Sequence, residues 1–518
     1  MSAEAGPAAG DRTARNWIAR HPAPLVLCGY LVAAVALNWR LWAGLGTMSA
    51  LGDPGLADND LMAWFTRYAA DAVARGHLPA LVTAGLNAPR GIPLMWNNSV
   101  LFPAVTLAPV TLLAGPLASL TVLATLGYAG SAAAMYWLLR RHGASVLAGG
   151  LGGAVFGFSP GLLNAGVGHY GMQFAVLAPL MIEAVASIIT GRGRALATGA
   201  WLGVLAAAQL FTGEEMLTDV AVASLVLLLV LAASRPSELR ARLAGTAAGL
   251  ATGAAVALLL CAHALWAQFR GPLAEHGTPW KIADHGNSLG AFVNPQAQLV
   301  FHTASSAAYA ASHLAGSSEY LAYLGPPLLI LVAAVTVWYW RDLRVRSAGV
   351  VWLVLEALSL GVNGPLLPRP VAAIPGARVP AGWDAVFARL HLPPGADVLV
   401  VPLPYSLQGE AMLWQADTGQ PAELVAGWFL GPDLSGNAYD AFWGPPFTAR
   451  TAHCVDAIWQ GVNATTGCAE ALRPALSYWH PAAVVADTGP GTPLGRFLIR
   501  ILGQPAVRDG QLLAWRTG

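Results

Sequence analysis

Of the 518 residues, 56% are hydrophobic and only 11% charged, with a formal net charge of +1. Soluble domains carry about 25% charged residues, so this composition excludes an ordinary soluble enzyme and predicts an integral membrane protein. The near-neutral balance and the lack of any basic stripe exclude a general nucleic-acid role, and four cysteines are too few for a disulfide scaffold.

Arg12, Arg15 and Arg20 precede an apolar run from Pro24 to about Leu45. The run is too long for a signal-peptide core and has no small-residue cleavage site behind it, which predicts an uncleaved spanning helix. Arginines ahead of it assign residues 1–23 to a cytoplasmic N-terminal tail.

The first long polar interval runs from Met48 to Ser99. In it, Asp58-Asn59-Asp60 opens a segment with Leu61, Trp64, Phe65 and Tyr68 at helical spacing and Arg67 and Asp71 on the other side. That pattern predicts an amphipathic helix lying along the bilayer interface. A capping role accounts for one of the two carboxylates. It accounts less well for both, so the pair is a candidate for chemistry.

Later apolar runs fall near 117–139, 145–163, 173–190, 196–211, 217–233, 243–266, 326–340 and 348–362. The run from Val100 to Ala114 contains Pro103 and Pro109, and at about 15 residues it is short for a span of roughly 20. It is read as a juxtamembrane or re-entrant element. The arginines at Arg140/Arg141, Arg192/Arg194, Arg235/Arg240/Arg242 and Arg341/Arg344/Arg346 then face the cytoplasm. The expected fold is an all-α polytopic membrane protein of about nine transmembrane helices plus juxtamembrane helices, multi-pass in the plasma membrane. Its transmembrane domain covers 24–364, with an external loop at 46–99, and an extracytoplasmic α/β domain follows at 365–518.

This topology gathers several polar groups on the external face. Beside Asp58 and Asp60 stand Gly168-His169-Tyr170, Gly213-Glu214-Glu215 and Ser318-Glu319. Acids and a histidine at one membrane level suit a general base, metal ligands or binders of hydroxyls. Plainer readings stand beside these: His169 as a packed interfacial residue, and Glu214 and Glu215 as acids favoured at a helix N-terminus. Arg90, Arg270 and Lys281 (the only lysine) are external cations that could hold a phosphate, or anchors that snorkel to the interface. His276, His285, His302 and His313 show no zinc-like spacing. Glu183, Asp219 and Glu356 lie within apolar runs, where a carboxylate should face the bundle rather than lipid.

Beyond Pro365 the long apolar runs stop. Residues 396–401, 482–485 and 511–515 read as short buried strands, alternating with helical stretches such as Trp383–Leu390 and Leu494–Leu502. Cys454 and Cys468 lie close enough in sequence to form a disulfide in an oxidising compartment. The tail's tryptophans suit core packing, and stacking on sugars as the alternative.

The first helix, the acidic external loop, and the ordered motifs Asp58–Ala63, Pro89-Arg90-Gly91, Asn97-Asn98-Ser99, Phe158-Ser159-Pro160, Gly168-His169, Gly213-Glu214-Glu215 and Ser318-Glu319 resemble the GT-C superfamily of polytopic membrane glycosyltransferases. They look like those of its actinobacterial members, and the resemblance covers roughly residues 25–365, with a weaker match in the tail. It implies transfer of a hexosyl or pentosyl group from a polyprenyl-phosphate-linked donor to a glycan, lipid or protein acceptor of the cell envelope. It also implies Asp58 as general base, with Asp60 orienting the acceptor or binding a metal. The leaving phosphate would be stabilised by an arginine or by a divalent cation such as Mg or Mn. Two other readings compete: a transporter or flippase of a lipid-linked intermediate, which needs Glu183 and Glu356 to matter most, and a non-catalytic scaffold of envelope assembly.

Overall fold

The computed structural model describes residues 22–50, 57–166, 168–277, 303–306, 325–359, 373–405, 408–433, 435–440, 445–461 and 467–517. Apolar helix α1 (Pro22–Leu37) leads to strand β1 (Met48–Ala50) and then to α2 (Ala57–Ala74), whose first turn holds Asp58 and Asp60. The proline-containing run that follows is two short helices, α3 (Leu101–Thr106) and α4 (Ala108–Ala114). Gly115, at φ +85°, separates α4 from α5 (Pro116–Arg141), which starts with proline at its first position and ends on Arg140 and Arg141. A fixed proline φ suits the first turn of a helix, and cations suit its last turn.

The remaining helices of the bundle are α6 (Val146–Gly157), α7 (Leu177–Thr190), α8 (Ala195–Leu210), α9 (Glu214–Ser234), α10 (Pro236–Arg270), α11 (Pro326–Trp338) and α12 (Leu343–Ser359). Each of the nine apolar runs of the sequence thus contains a helix. Among the described residues, α5, α9 and α10 are the three long and apolar enough to cross a bilayer by themselves. Leu225 and Leu229 on α9, Leu258 and Leu259 on α10, and Ile330 and Val337 on α11 are exposed, as a lipid-facing surface requires. The chain is a membrane protein. Helices α8 and α10 approach closely where Gly199 meets Gly249 and Gly203 meets Gly253, the small-residue contact common between membrane helices.

The C-terminal part begins with β2 (Ala373–Pro375) and α13 (Trp383–Leu390). It continues through β3 (Asp397–Val401), α14 (Glu410–Asp417), β4 (Glu423–Leu424), α15 (Pro446–Trp459), α16 (Cys468–Trp479), β5 (Ala483–Asp487), α17 (Pro493–Leu502), β6 (Val507–Asp509) and β7 (Leu512–Arg516). Five strands form one sheet in the order β6-β7-β5-β3-β4. In it, β3 is parallel to β4 and β5, while β7 is antiparallel to β5 and β6. Val398, Leu399, Val400 and Val401 run without a polar break because both faces of this central strand are covered. Cys454 and Cys468 are bonded to each other and join α15 to α16.

One expectation changes. The apolar face of α2 does not lie on lipid: Leu61, Trp64 and Phe65 are buried in a single core together with Leu117 and Leu120 of α5, Met412 and Leu413 of α14, and Val485 and Leu512 of the sheet. Trp64 donates its indole N–H to Gln415 Oε1 at 2.7 Å. An amphipathic stripe specifies only that something apolar must cover it, and here the cover is the C-terminal α/β layer. The same layer reaches back to the start of the loop, since β2 pairs antiparallel with β1, Ser49 opposite Ile374.

Candidate functional site

Asp58 stands in the first turn of α2, half-exposed, and its Oδ1 accepts the indole N–H of Trp428 at 2.6 Å. Trp428 comes from the segment that follows β4. On the other side the backbone at Gly168 lies against Asp58: a Cβ there would stand 3.0 Å from Asp58 Cβ and 3.6 Å from Oδ2, and the φ of +138° also favours glycine. Asn59, fully buried, donates to Ala50 O at 2.9 Å and accepts from the Tyr170 hydroxyl at 2.8 Å. The Gly168-His169-Tyr170 turn is therefore fastened directly to the Asp58-Asn59 step, with His169 half-buried beside it.

Asp60 is not brought together with Asp58. Two residues along a helix turn a side chain by about 200°, and Asp60, 1% exposed, faces α14. Its carboxyl is pushed well above the usual range, first by burial and then by the charges of Glu410 and Asp417. Asp417 itself is pushed up to about 6 by burial, although Arg67 opposes the shift.

A cavity of about 310 Å³ opens beside this cluster. Its walls come from residues 94–101, the C-terminal end of α8, the first turn of α9, the end of α10 and Leu430. Two amides organise it. Asn98 Nδ2 donates to Glu215 Oε2 at 3.1 Å, and Gln268 Nε2 donates to Glu214 Oε2 at 3.0 Å. Trp96 Nε1 holds Gln268 through its backbone carbonyl at 3.0 Å. Glycine is needed at 171 and 213: a Cβ at 171 would stand 2.6 Å from Thr212 O and 2.5 Å from Asn98 Oδ1, and one at 213 would stand 2.9 Å from the Gly171 backbone.

Two short peptides join this cavity to Asp58. One is Gly168–Gly171, and the other is Trp428–Leu430, whose last residue is held by Asn97 through both its N–H and its carbonyl.

Glu275 also lines the cavity, and nothing in its sequence neighbourhood singled it out. It is 5% exposed, and burial pushes its carboxyl up to about 7. Asn59 and Gln268 were equally silent in the sequence, because each acts through a contact made by a distant segment, while Trp428, one of the tail's tryptophans read for core packing or sugar stacking, packs against the core and also binds Asp58. The only local hint was the asparagine lying between two aspartates.

Neither Arg90 nor Arg270 lines the cavity. Arg90 donates from Nη2 to Asp433 O at 2.5 Å and so fastens the first loop to a turn of the C-terminal layer. Arg270 is exposed at the last residue of α10. Lys281 and Glu319 lie outside the described residues. Among the described residues, no three His, Cys, Asp or Glu side chains converge closely enough to share a metal ion.

No protein-family model matches the chain, and no curated protein matches it. Among solved structures it is similar to the arabinofuranosyltransferase AftD from mycobacteria, at 17% identity and a TM-score of 0.48, over 96% of this chain and 40% of that one. A mutant of the same enzyme gives 16% identity and a TM-score of 0.48, over 96% of this chain and 42% of that one. The archaeal oligosaccharyltransferase AglB from Archaeoglobus fulgidus, solved with an inhibitory peptide and a dolichol-phosphate, gives 10% identity and a TM-score of 0.40, over 91% of this chain and 70% of that one. The chain thus spans 40% of the AftD length.

Proposed function

We propose that this chain is a GT-C-type membrane glycosyltransferase. It moves a sugar from a polyprenyl-phosphate-linked donor to a cell-envelope acceptor at the external membrane boundary. One observation carries the reading: a half-exposed carboxylate, Asp58, held by Trp428 and joined through two short peptides to a cavity at the ends of two membrane helices. A lipid-borne donor and a water-borne acceptor can meet only at such a boundary.

In this mechanism Asp58 takes the proton of an acceptor hydroxyl as its oxygen bonds to the anomeric carbon. The bond from that carbon to the donor's phosphate oxygen breaks, and the lipid phosphate leaves with the electron pair. Arg270, exposed where α10 ends and two residues beyond the cavity-lining Gln268, is the cation we assign to that phosphate. General-base assistance is typically worth about 10²–10⁴-fold. The test is Asp58→Asn in the purified chain with a radiolabelled polyprenyl-phosphate sugar: transfer should fall by about that factor while the thermal unfolding profile is unchanged. Full transfer by the variant would remove Asp58 as base.

The transport reading needs a membrane acid free to exchange its partners. Glu183 is instead clasped by Arg141 Nε at 2.6 Å, His142 Nε2 at 2.6 Å and Ser187 Oγ at 2.7 Å. That arrangement favours a structural role for it.

A further inference from the structure

The cavity beside Asp58 has a one-sided hydrogen-bonding character. Because Gln268 gives its amide N–H to Glu214, its Oε1 is turned away from that bond, and this oxygen has no hydrogen-bond partner. Glu214 Oε1 and Glu275 Oε1 are likewise buried and unpartnered. Gln268 and Glu275 are 2% and 5% exposed, so these are built-in features of the wall rather than surface groups. Buried acceptors without donors are costly and uncommon in folded proteins. No lysine or arginine lines the cavity among the described residues, while three glutamates do.

An occupant must therefore bring hydrogen-bond donors and no negative charge. That excludes the phosphate of a lipid-linked donor and fits the hydroxyl groups of a sugar. The volume, near the lower end of small-molecule pockets, suits a short saccharide better than a polyprenyl chain. We propose that this cavity is the acceptor-sugar subsite, in which Glu214, Gln268 and Glu275 accept hydrogen bonds from the hydroxyls of a glycan acceptor. The assignment rests on the glycosyl-transfer reading above for which of the two substrates the sugar belongs to. Burial pushes the Glu275 carboxyl up to about 7, so an uncharged acceptor at this position would serve the same role. Glutamine at 275 would reproduce much of this.

The test uses the full chain in nanodiscs, with methyl pyranosides and methyl furanosides as one probe set and inorganic phosphate as the other, followed by saturation-transfer NMR. The glycosides should bind the wild type and bind Glu275→Ala and Gln268→Leu at least tenfold more weakly, while Glu275→Gln retains binding within threefold. Phosphate should not compete. Equal glycoside binding by wild type and Glu275→Ala, or competition by phosphate, overturns the assignment. In transfer assays, Glu275→Ala should raise the acceptor KM at least tenfold and leave the donor KM within twofold; the reverse split would give the cavity to the donor and also overturn it. Glycoside binding that depends on Glu275 in a chain with no transfer activity would uphold the subsite and sink the transferase reading instead.

Discussion

Trp428 and Asp58, 370 positions apart in sequence, share a 2.6 Å hydrogen bond from the indole N–H to a carboxylate oxygen. The bond orients the one half-exposed acid that opens α2. It also carries the register of the C-terminal layer into the first loop, because Leu430, two residues on, is held by Asn97. Replacing the indole by an apolar ring removes the donor and keeps most of the packing. A hydrogen bond to a charged group is worth about 1.5–3 kcal/mol. Trp428→Phe should therefore lower kcat by about tenfold or more, leave the donor KM unchanged, and lower Tm only slightly. Steady-state kinetics with a lipid-linked sugar check this.

Gly168 is the second support of Asp58. Alanine there would set a Cβ against Asp58 Cβ at 3.0 Å and adopt a φ of +138°, which L-residues rarely occupy. Backbone strain of this kind costs about 1–3 kcal/mol. We expect Gly168→Ala to fold with a reduced Tm and to lose transfer more severely than Trp428→Phe. Gly76→Ala, also at positive φ but with open space around it, serves as the control for strain alone.

Asp60 faces Glu410 and Asp417 in a buried layer, and its folded pKa lies well above its unfolded one. Such a group keeps its proton on folding, so stability is fully present below the unfolded carboxylate pKa and is lost as pH rises through the folded value. Asp60→Asn should thus raise Tm by a few degrees at pH 8 and leave it unchanged near pH 4. Differential scanning fluorimetry across that range reads the effect. A lower Tm at pH 8 would show that the charged form is the one the fold favours.

Glu183 gives the complementary case. Glu183→Gln loses its ion pairs with Arg141, at the end of α5, and Arg192, and should cost about 1.5–3 kcal/mol of stability. Transfer per folded molecule should stay within twofold. A large loss of activity in well-folded protein would bring the transport reading back.

Local periodicity made much of the fold legible. The nine apolar runs, the helix opening at Asp58, and the strands at 397–401, 483–487 and 512–516 each follow from the spacing of their own residues. What covers an element is not local. Leu61, Trp64 and Phe65 looked the same whether lipid or protein would cover them, and the pairing of β1 with β2 joins positions separated by more than half the chain. The same limit applies to the site. His169, Glu214 and Glu215 could be proposed from their turns, and the structure sets the first beside Asp58 and the other two in the cavity. Glu275 could not, because its interest comes from burial. The spacing of Asp58 and Asp60 invited a paired reading, although helix geometry alone turns them apart.

The β1–β2 pairing and the Trp428 hydrogen bond have a consequence for biogenesis. Ribosomes make Asp58 early, but its indole partner Trp428 emerges only 370 residues later, after the β2 strand that pairs with β1. Until then the acid has neither its indole clamp nor the layer that roofs α2, so a nascent or prematurely terminated chain holds an unassembled centre. Only once the chain has been made as far as Trp428 can Asp58 take up the position it holds in the folded protein.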